Sequence, residues 1–307
     1  MTEPTFPSVA VVVPTHDRPE MLRRAIQAIV EQDYPGPIDV VVVFDRTEPD
    51  RTLESSTPRR TVRVMRNTRT PGLPGGRNTG IDACRDADYV AFCDDDDLWM
   101  PGKLTTQIDR MRDEPDVWLS TTGVVIDFDG ERSDRPSPAS ELTVASLVRD
   151  RTTEAHPSTF VFRRSALDTI GDVDEVIPGG YSEDYDYLLR IAKGGRIFCV
   201  TEPLVVIRWG RSSYFATRWR SIVDAQRYLM AKHPEFESDR RAEARIRGQI
   251  AFALAALGER REAFVEIIRT VKRWPLEQRW PVAAAVALKL VSADRALELA
   301  HRFGRGI

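Results

Sequence analysis

Apolar residues follow two alternating rhythms over the first two-thirds of the chain. Short, mainly apolar runs, Ser8 to Val13, "IDVVVVF" (Ile38 to Phe44), "TVRVM" (Thr61 to Met65) and "DYVAFC" (Asp88 to Cys93), read as strands buried on both faces. Helical spacing appears between them. Leu22, Ala25, Ile26 and Ile29 follow "PTHDRP", a short helix is expected near Thr79 to Arg85 after the Gly/Pro loop "TPGLPGGRN", and Pro101 is expected to open "PGKLTTQIDRMRDE", where its missing N–H costs nothing. "VWLSTTGVVIDFDGER" predicts a longer strand ending in an Asp129-Gly130 turn, and "STFVFRRSALDTIG" a strand and short helix. "YSEDYDYLLRIAKGG" then predicts a helix stopped at Gly194 and Gly195, before a last strand, "PLVVIRW". Continuous apolar strands separated by helices imply an α/β fold with a mostly parallel central sheet flanked by helices.

From about Tyr214 the pattern is helical only, and "RRAEARIRGQIAFALAALGERREAFVEIIRTVKRW" predicts an antiparallel pair turning at Gly258. The expected division is residues 1–212 for the α/β domain and 213–307 for a C-terminal α-helical appendage.

Composition narrows the function classes. A formal charge of −3 over 307 residues argues against a nucleic-acid binder driven by bulk electrostatics. Cys84, Cys93 and Cys199 are too scattered for a disulfide framework or a CxxC site, which suits a reducing cytoplasm. No secretory leader is legible, and the apolar stretch Val282 to Leu288 falls far short of the roughly 20 residues of a spanning helix.

The candidate chemistry begins at "AFCDDDDLWMPGKL", where Asp94 to Asp97 follow a buried strand directly. Ligands of an open parallel sheet sit beyond the carboxyl ends of its strands, where Thr15 and Asp45 also fall. Packed carboxylates repel one another unless they are solvated or neutralised by a cation. An EF-hand counted from Asp94 fails, because its fifth, sixth and twelfth positions are Leu98, Trp99 and Thr105. Zinc would want His or Cys at short spacing, and only Cys93 is near. A hard divalent cation that keeps positions open for phosphates, Mg2+ or Mn2+, remains alongside the solvated alternative. "PGLPGGRNTG" matches neither the Walker A spacing nor GxGxxG.

Five segments in order, "VVVPTHDRPEMLRRAIQAI", "VVVVFD", "GGRNTGIDACRDADYVAFCDDDDLWMPGKL", "HPSTFVFRRSALDTIGDVDE" and "SEDYDYLLRIAKGGRIFCVTEPLVVIR", resemble the family 2 glycosyltransferases, inverting enzymes of the GT-A fold. The resemblance implies that the acidic run is a DxD motif, with Asp94 and Asp96 at the metal and Asp95 on the donor ribose. It places Thr15 and Asp45 at the nucleotide base and Arg77 at the base or diphosphate. Two positions depart from the family pattern: Phe44 stands for the first acid of the second-strand motif, and Asp17 for a frequent Asn. In "SEDYDY", read as capped by Ser182, the resemblance makes Asp184 the general base and Glu183 its orienting partner. Asp186 is expected on the helix surface, and His16 and His156 are expected in ordinary loop roles. Arg208 or Arg211, in "IRWGRSSYF", could close over the donor.

These readings imply an inverting, metal-assisted transferase that moves a sugar from a nucleotide-diphosphate donor, UDP-linked by preference, to a saccharide acceptor. Trp274 and Trp280 flank "WPLEQRW" in a basic, partly apolar region that can lie in a membrane surface or simply pack as a core helix. On the first alternative the acceptor is polyprenyl-linked, at the cytoplasmic face of the cell membrane. The rival readings are a sugar-phosphate nucleotidyltransferase and a catalytically silent glycan- or partner-binding scaffold of the same fold.

Overall fold

The computed structural model describes residues 6–209 and 218–302, which fall into two compact units. Residues 6–143, 152–175 and 183–209 form the first; residues 144–151, 176–182 and 218–302 form the second.

In chain order the first unit contains β1 (Val9–Thr15), α1 (Pro19–Val30), β2 (Ile38–Phe44), β3 (Arg60–Arg66), α2 (Leu73–Asp82), β4 (Tyr89–Phe92) and α3 (Lys103–Asp113). It continues with β5 (Val117–Phe128), β6 (Glu131–Arg135), β7 (Val161–Arg163), α4 (Arg164–Ile170), α5 (Glu183–Gly194) and β8 (Arg196–Trp209). The sheet runs β3-β2-β1-β4-β7-β5-β8, with the two-residue strands Ser55–Ser56 and Leu98–Trp99 at its edges. β3, β2, β1 and β4 are parallel, β7 is antiparallel to both neighbours, and β5 and β8 pair in parallel again. Every residue of β1 is buried, as its unbroken apolar run requires. The chain leaves β1 for β2 on one side and returns as β4 on the other, so a crevice opens at the carboxyl ends of these strands.

Three local expectations need correction. α2 begins at Leu73, so most of the Gly/Pro loop is helix: Pro74 sits in the first turn, where it is tolerated, and a Cβ on Gly75 would lie 1.9 Å from the Thr70 carbonyl oxygen. α3 begins at Lys103 behind left-handed Gly102 (φ 81°), with Pro101 in the preceding turn. Asp186 is buried on α5, where Arg190 Nε one turn later donates to it at 2.9 Å. The Asp129-Gly130 turn does close the β5–β6 hairpin, with both residues at positive φ (53° and 93°) as a type I′ turn demands.

The second unit contains α6 (Trp219–Lys232), α7 (Arg240–Ala256), α8 (Arg260–Arg273), α9 (Arg279–Ala287) and α10 (Ala293–Arg302). Asp239 caps α7 by accepting from the amides of Arg241 and Ala242, and Gly258 (φ 79°) makes the turn into α8. α9 packs on α7, and Trp280 Nε1 donates to the Pro275 carbonyl at 2.9 Å. Leu276, Leu288 and Leu290 are exposed. Among the described residues, no helix is long and apolar enough to cross a membrane.

Candidate active site

Thr15 ends β1, Asp45 follows β2, and the acidic run follows β4, so three separate strand ends deliver their polar side chains to one crevice. Thr15 Oγ1 donates to Asp95 Oδ2 at 2.7 Å in a buried contact. Arg18 Nη1 bridges Asp95 Oδ1 (3.0 Å) and Asp96 Oδ2 (2.5 Å). Asp45 accepts from Arg46 Nε (2.8 Å), Asn67 Nδ2 (2.9 Å) and the Gly72 amide (3.1 Å). Burial pushes its carboxyl up, but these donors outweigh it and hold Asp45 below the usual carboxylate range. His16 Nδ1 donates to the Asp45 carbonyl at 2.8 Å, a hydrogen-bonding role of the kind expected for it.

Arg77, on α2, lies beneath this floor and is 2% exposed. Its Nη2 donates to Asp94 Oδ1 at 2.8 Å, and its Nη1 donates to Glu183 Oε1. Burial opposes its charge, and Asp94, Glu183 and Asp184 more than compensate, so the guanidinium stays ionised. Arg77 was expected to face the base or diphosphate, but its donors are turned toward two carboxylates. Its reach to a donor therefore runs through them. Glu183 is buried, and desolvation, reinforced by Asp184 and Asp94, pushes it up to about 7 against the pull of Arg77. Asp184, half-buried in the same turn, acts electrostatically on both Arg77 and His156. Ser182, read from sequence as a helix cap, stands in the left-handed region (φ 66°).

The acidic run divides. Asp95 and Asp96 are raised chiefly by burial, with Arg18 opposing. Asp97, 2% exposed, is raised well above the carboxylate range by burial and then by Asp96 and Asp94. Its Oδ2 accepts from Ser158 Oγ at 2.5 Å, and its Oδ1 accepts from the Arg208 amide at 3.4 Å. Arg208 thus reaches the run through its backbone, while Arg211 lies outside the described residues.

Asp94, Asp97 and His156 bring one ligand atom each to within 4.8 Å of the others. Two carboxylates and an imidazole fit a divalent cation such as Mn2+ or Mg2+. Asp94 belongs to the pair expected from sequence; Asp96 is instead engaged by Arg18. Ser158 and Arg18 were not legible as site residues; Asp97 was legible as a member of the acidic run and His156 as a loop residue, neither as a metal ligand. The one available signal was "HPST" ahead of a strand, a polar turn aimed at a sheet end.

A mostly parallel α/β sheet with an acidic cluster at its topological switch point, followed by a helical region, is the GT-A architecture of nucleotide-sugar transferases. S. aureus TarS, residues 1–349, has this fold, with a TM-score of 0.60 at 17% identity over 97% of this chain and 92% of that one. The family profile described as "Glycosyl transferase family 2" matches residues 10–171, more than half of the chain, and the protein belongs to that family. It is a glycosyltransferase. The uncharacterized glycosyltransferase YwdF of Bacillus subtilis is 24% identical over 194 residues, 62% of this chain and 69% of that one. The GalNAc(5)-diNAcBac-PP-undecaprenol beta-1,3-glucosyltransferase of Campylobacter jejuni is 29% identical over 110 residues, 34% of this chain and 35% of that one. The chain thus spans about a third of the length of the Campylobacter protein.

Proposed function

We propose that the protein is an inverting glycosyltransferase that moves a sugar from a UDP-linked donor to a hydroxyl of a lipid-linked or cell-surface glycan, with a divalent cation and an Asp general base. The observation that carries this reading is Arg77, which ties Asp94 of the acidic run to Glu183 in the first turn of α5. Two acidic motifs about 90 residues apart in sequence thereby share one buried cation. A solvated acidic loop would have no need of it.

Residues 1–212 supply the catalysis. Thr15 and Asp45 line the nucleotide base, and Asp95 takes the ribose. Asp94, Asp97 and His156 would hold the divalent cation, with Asp96, engaged by Arg18, as a further carboxylate for it. When bound, the cation neutralises charge on the departing nucleoside diphosphate. Arg77 fixes Asp94 and Glu183, and Glu183 in turn orients Asp184. Asp184 takes the proton of the acceptor hydroxyl as its oxygen attacks the anomeric carbon opposite the leaving phosphate, so the configuration inverts without a sugar-enzyme bond. Residues 213–307 bring the enzyme to the cytoplasmic face of the cell membrane, where a polyprenyl-linked acceptor would lie. The undecaprenol-linked substrate named for the Campylobacter relative supports that acceptor class.

Calorimetric titration of UDP, GDP and dTDP with Mn2+, with chelator, and into Asp96→Asn tests the reading. Metal-dependent binding of UDP, weakened in the variant, is expected. Absence of diphosphate binding under every condition would refute the donor site and leave the silent-scaffold alternative.

A further inference from the structure

We propose that Ser158 is a positioning residue that sets the spacing of Asp94 and Asp97 in the cation site. The inference rests on the cation reading above and adds a residue to it. Ser158 lies in the 3-10 turn Pro157–Thr159, between His156 and β7, and is fully buried. Its hydroxyl has one proton and two lone pairs. The proton goes to Asp97 Oδ2 at 2.5 Å, and a lone pair accepts the Asp94 amide at 2.9 Å. One oxygen therefore ties the side chain of one prospective ligand to the backbone of another. Its own amide donates to His156 Nδ1 at 3.3 Å, so Ser158 touches all three members of the cluster.

The turn that carries Ser158 is itself clamped. Trp99 Nε1 donates to the Ser158 carbonyl at 2.8 Å, and the buried Lys103 Nζ sits 3.9 Å from the centre of the Trp99 ring. Thr159 Oγ1 donates to the His156 carbonyl (2.7 Å), and Gln107 Nε2 donates to the Thr159 carbonyl (2.9 Å). A serine that merely filled space would need neither a 2.5 Å bond to a ligand carboxylate nor a turn pinned from α3. Like-charged carboxylates drift apart unless held, and one hydroxyl ties the Asp97 carboxylate to the main chain of Asp94 without adding a charge of its own.

The test measures Mn2+ affinity directly, by electron paramagnetic resonance of the free ion, so it does not depend on turnover. Ser158→Ala is expected to weaken Mn2+ binding about 10- to 100-fold, the range typical when a group supporting a metal ligand is removed. Ser158→Thr, which keeps the hydroxyl, is expected to stay within a few-fold of the parent. Circular dichroism confirms that each variant is folded at the assay temperature. If the parent binds Mn2+ and folded Ser158→Ala binds it equally well, the positioning role is wrong while the cation reading stands. A parent that takes up no Mn2+ overturns both. Should Ser158→Ala not fold, Trp99→Phe decides, because it removes the indole donor and leaves the hydroxyl: several-fold weaker Mn2+ binding supports the inference, and unchanged binding overturns it.

Discussion

Lys103 opens α3 with its side chain fully buried, and replacing it with methionine is expected to stabilise the protein at neutral pH. Its Nζ has no hydrogen-bond partner among the described residues. Burial drives the ammonium from an ordinary 10.5 down to about 7, with the neighbouring Cys93 opposing weakly. At 1.36 kcal/mol per decade, that fall corresponds to roughly 5 kcal/mol of penalty for carrying the charge into the fold. The Trp99 ring face, 3.9 Å away, returns about 2 kcal/mol of cation–π attraction in a dry site, leaving roughly 3 kcal/mol. The folded value lies below the unfolded one, so between about pH 7 and pH 10.5 the unfolded chain binds the extra proton. Stability from this group therefore rises with pH across that window, and below it the penalty is complete. Lys103→Met, similar in length and uncharged, removes the dependence. Urea unfolding of both proteins near neutral pH and near pH 10 should show the variant more stable by about 3 kcal/mol at the lower pH, with the gap closing at the higher. A variant no more stable near neutrality, or a gap independent of pH, would refute the reasoning by showing that the ammonium is paid for inside the fold.

Asp184→Asn should lower sugar transfer by about 10^2- to 10^4-fold with UDP affinity little changed, read by turnover and calorimetry; a drop under tenfold would remove Asp184 as the base. Arg77→Met strands the buried carboxylate of Glu183 and the half-buried one of Asp94 and should cost about 3–5 kcal/mol of stability in urea, whereas a cost below ~1 kcal/mol would mean that the two acids relax into water. Gly80→Ala would place a Cβ 2.2 Å from Val12 Cγ1 and force α2, which carries Arg77, away from β1, which carries Thr15. About 1–3 kcal/mol of destabilisation is expected in thermal or urea melts, and an unchanged midpoint would show that the helix has slack.

Local chemistry was readable wherever a residue's neighbours in sequence decide its state. The apolar runs of β1 and β2 could be nothing but buried strands, Asp129-Gly130 could close a hairpin, and Gly258 could turn a helical pair. α2 was misread because its Gly and Pro residues oppose helix in isolation; the close approach of Gly75 to Thr70 and of Gly80 to Val12 rewards the small residues there. Asp186 was misread because its burial, and its pairing with Arg190, depend on which face of α5 turns inward.

The sequence by itself determined that this is an α/β sheet with a helical region after it, that polar groups gather at strand ends, and which family motifs they resemble. The first two follow from short-range periodicity, which folding cannot alter, and the third from the motifs as they stand in the chain. Only the tertiary structure decided which acids act together. It set Arg18 between Asp95 and Asp96, buried Arg77 between Asp94 and Glu183, and brought His156 and Ser158 to Asp94 and Asp97 across some sixty residues. The physical reason is that the crossover placing β4 beside β1, and the return of β7 beside β4, fix those distances. No local pattern in the chain encodes a contact that exists only after the strands have paired.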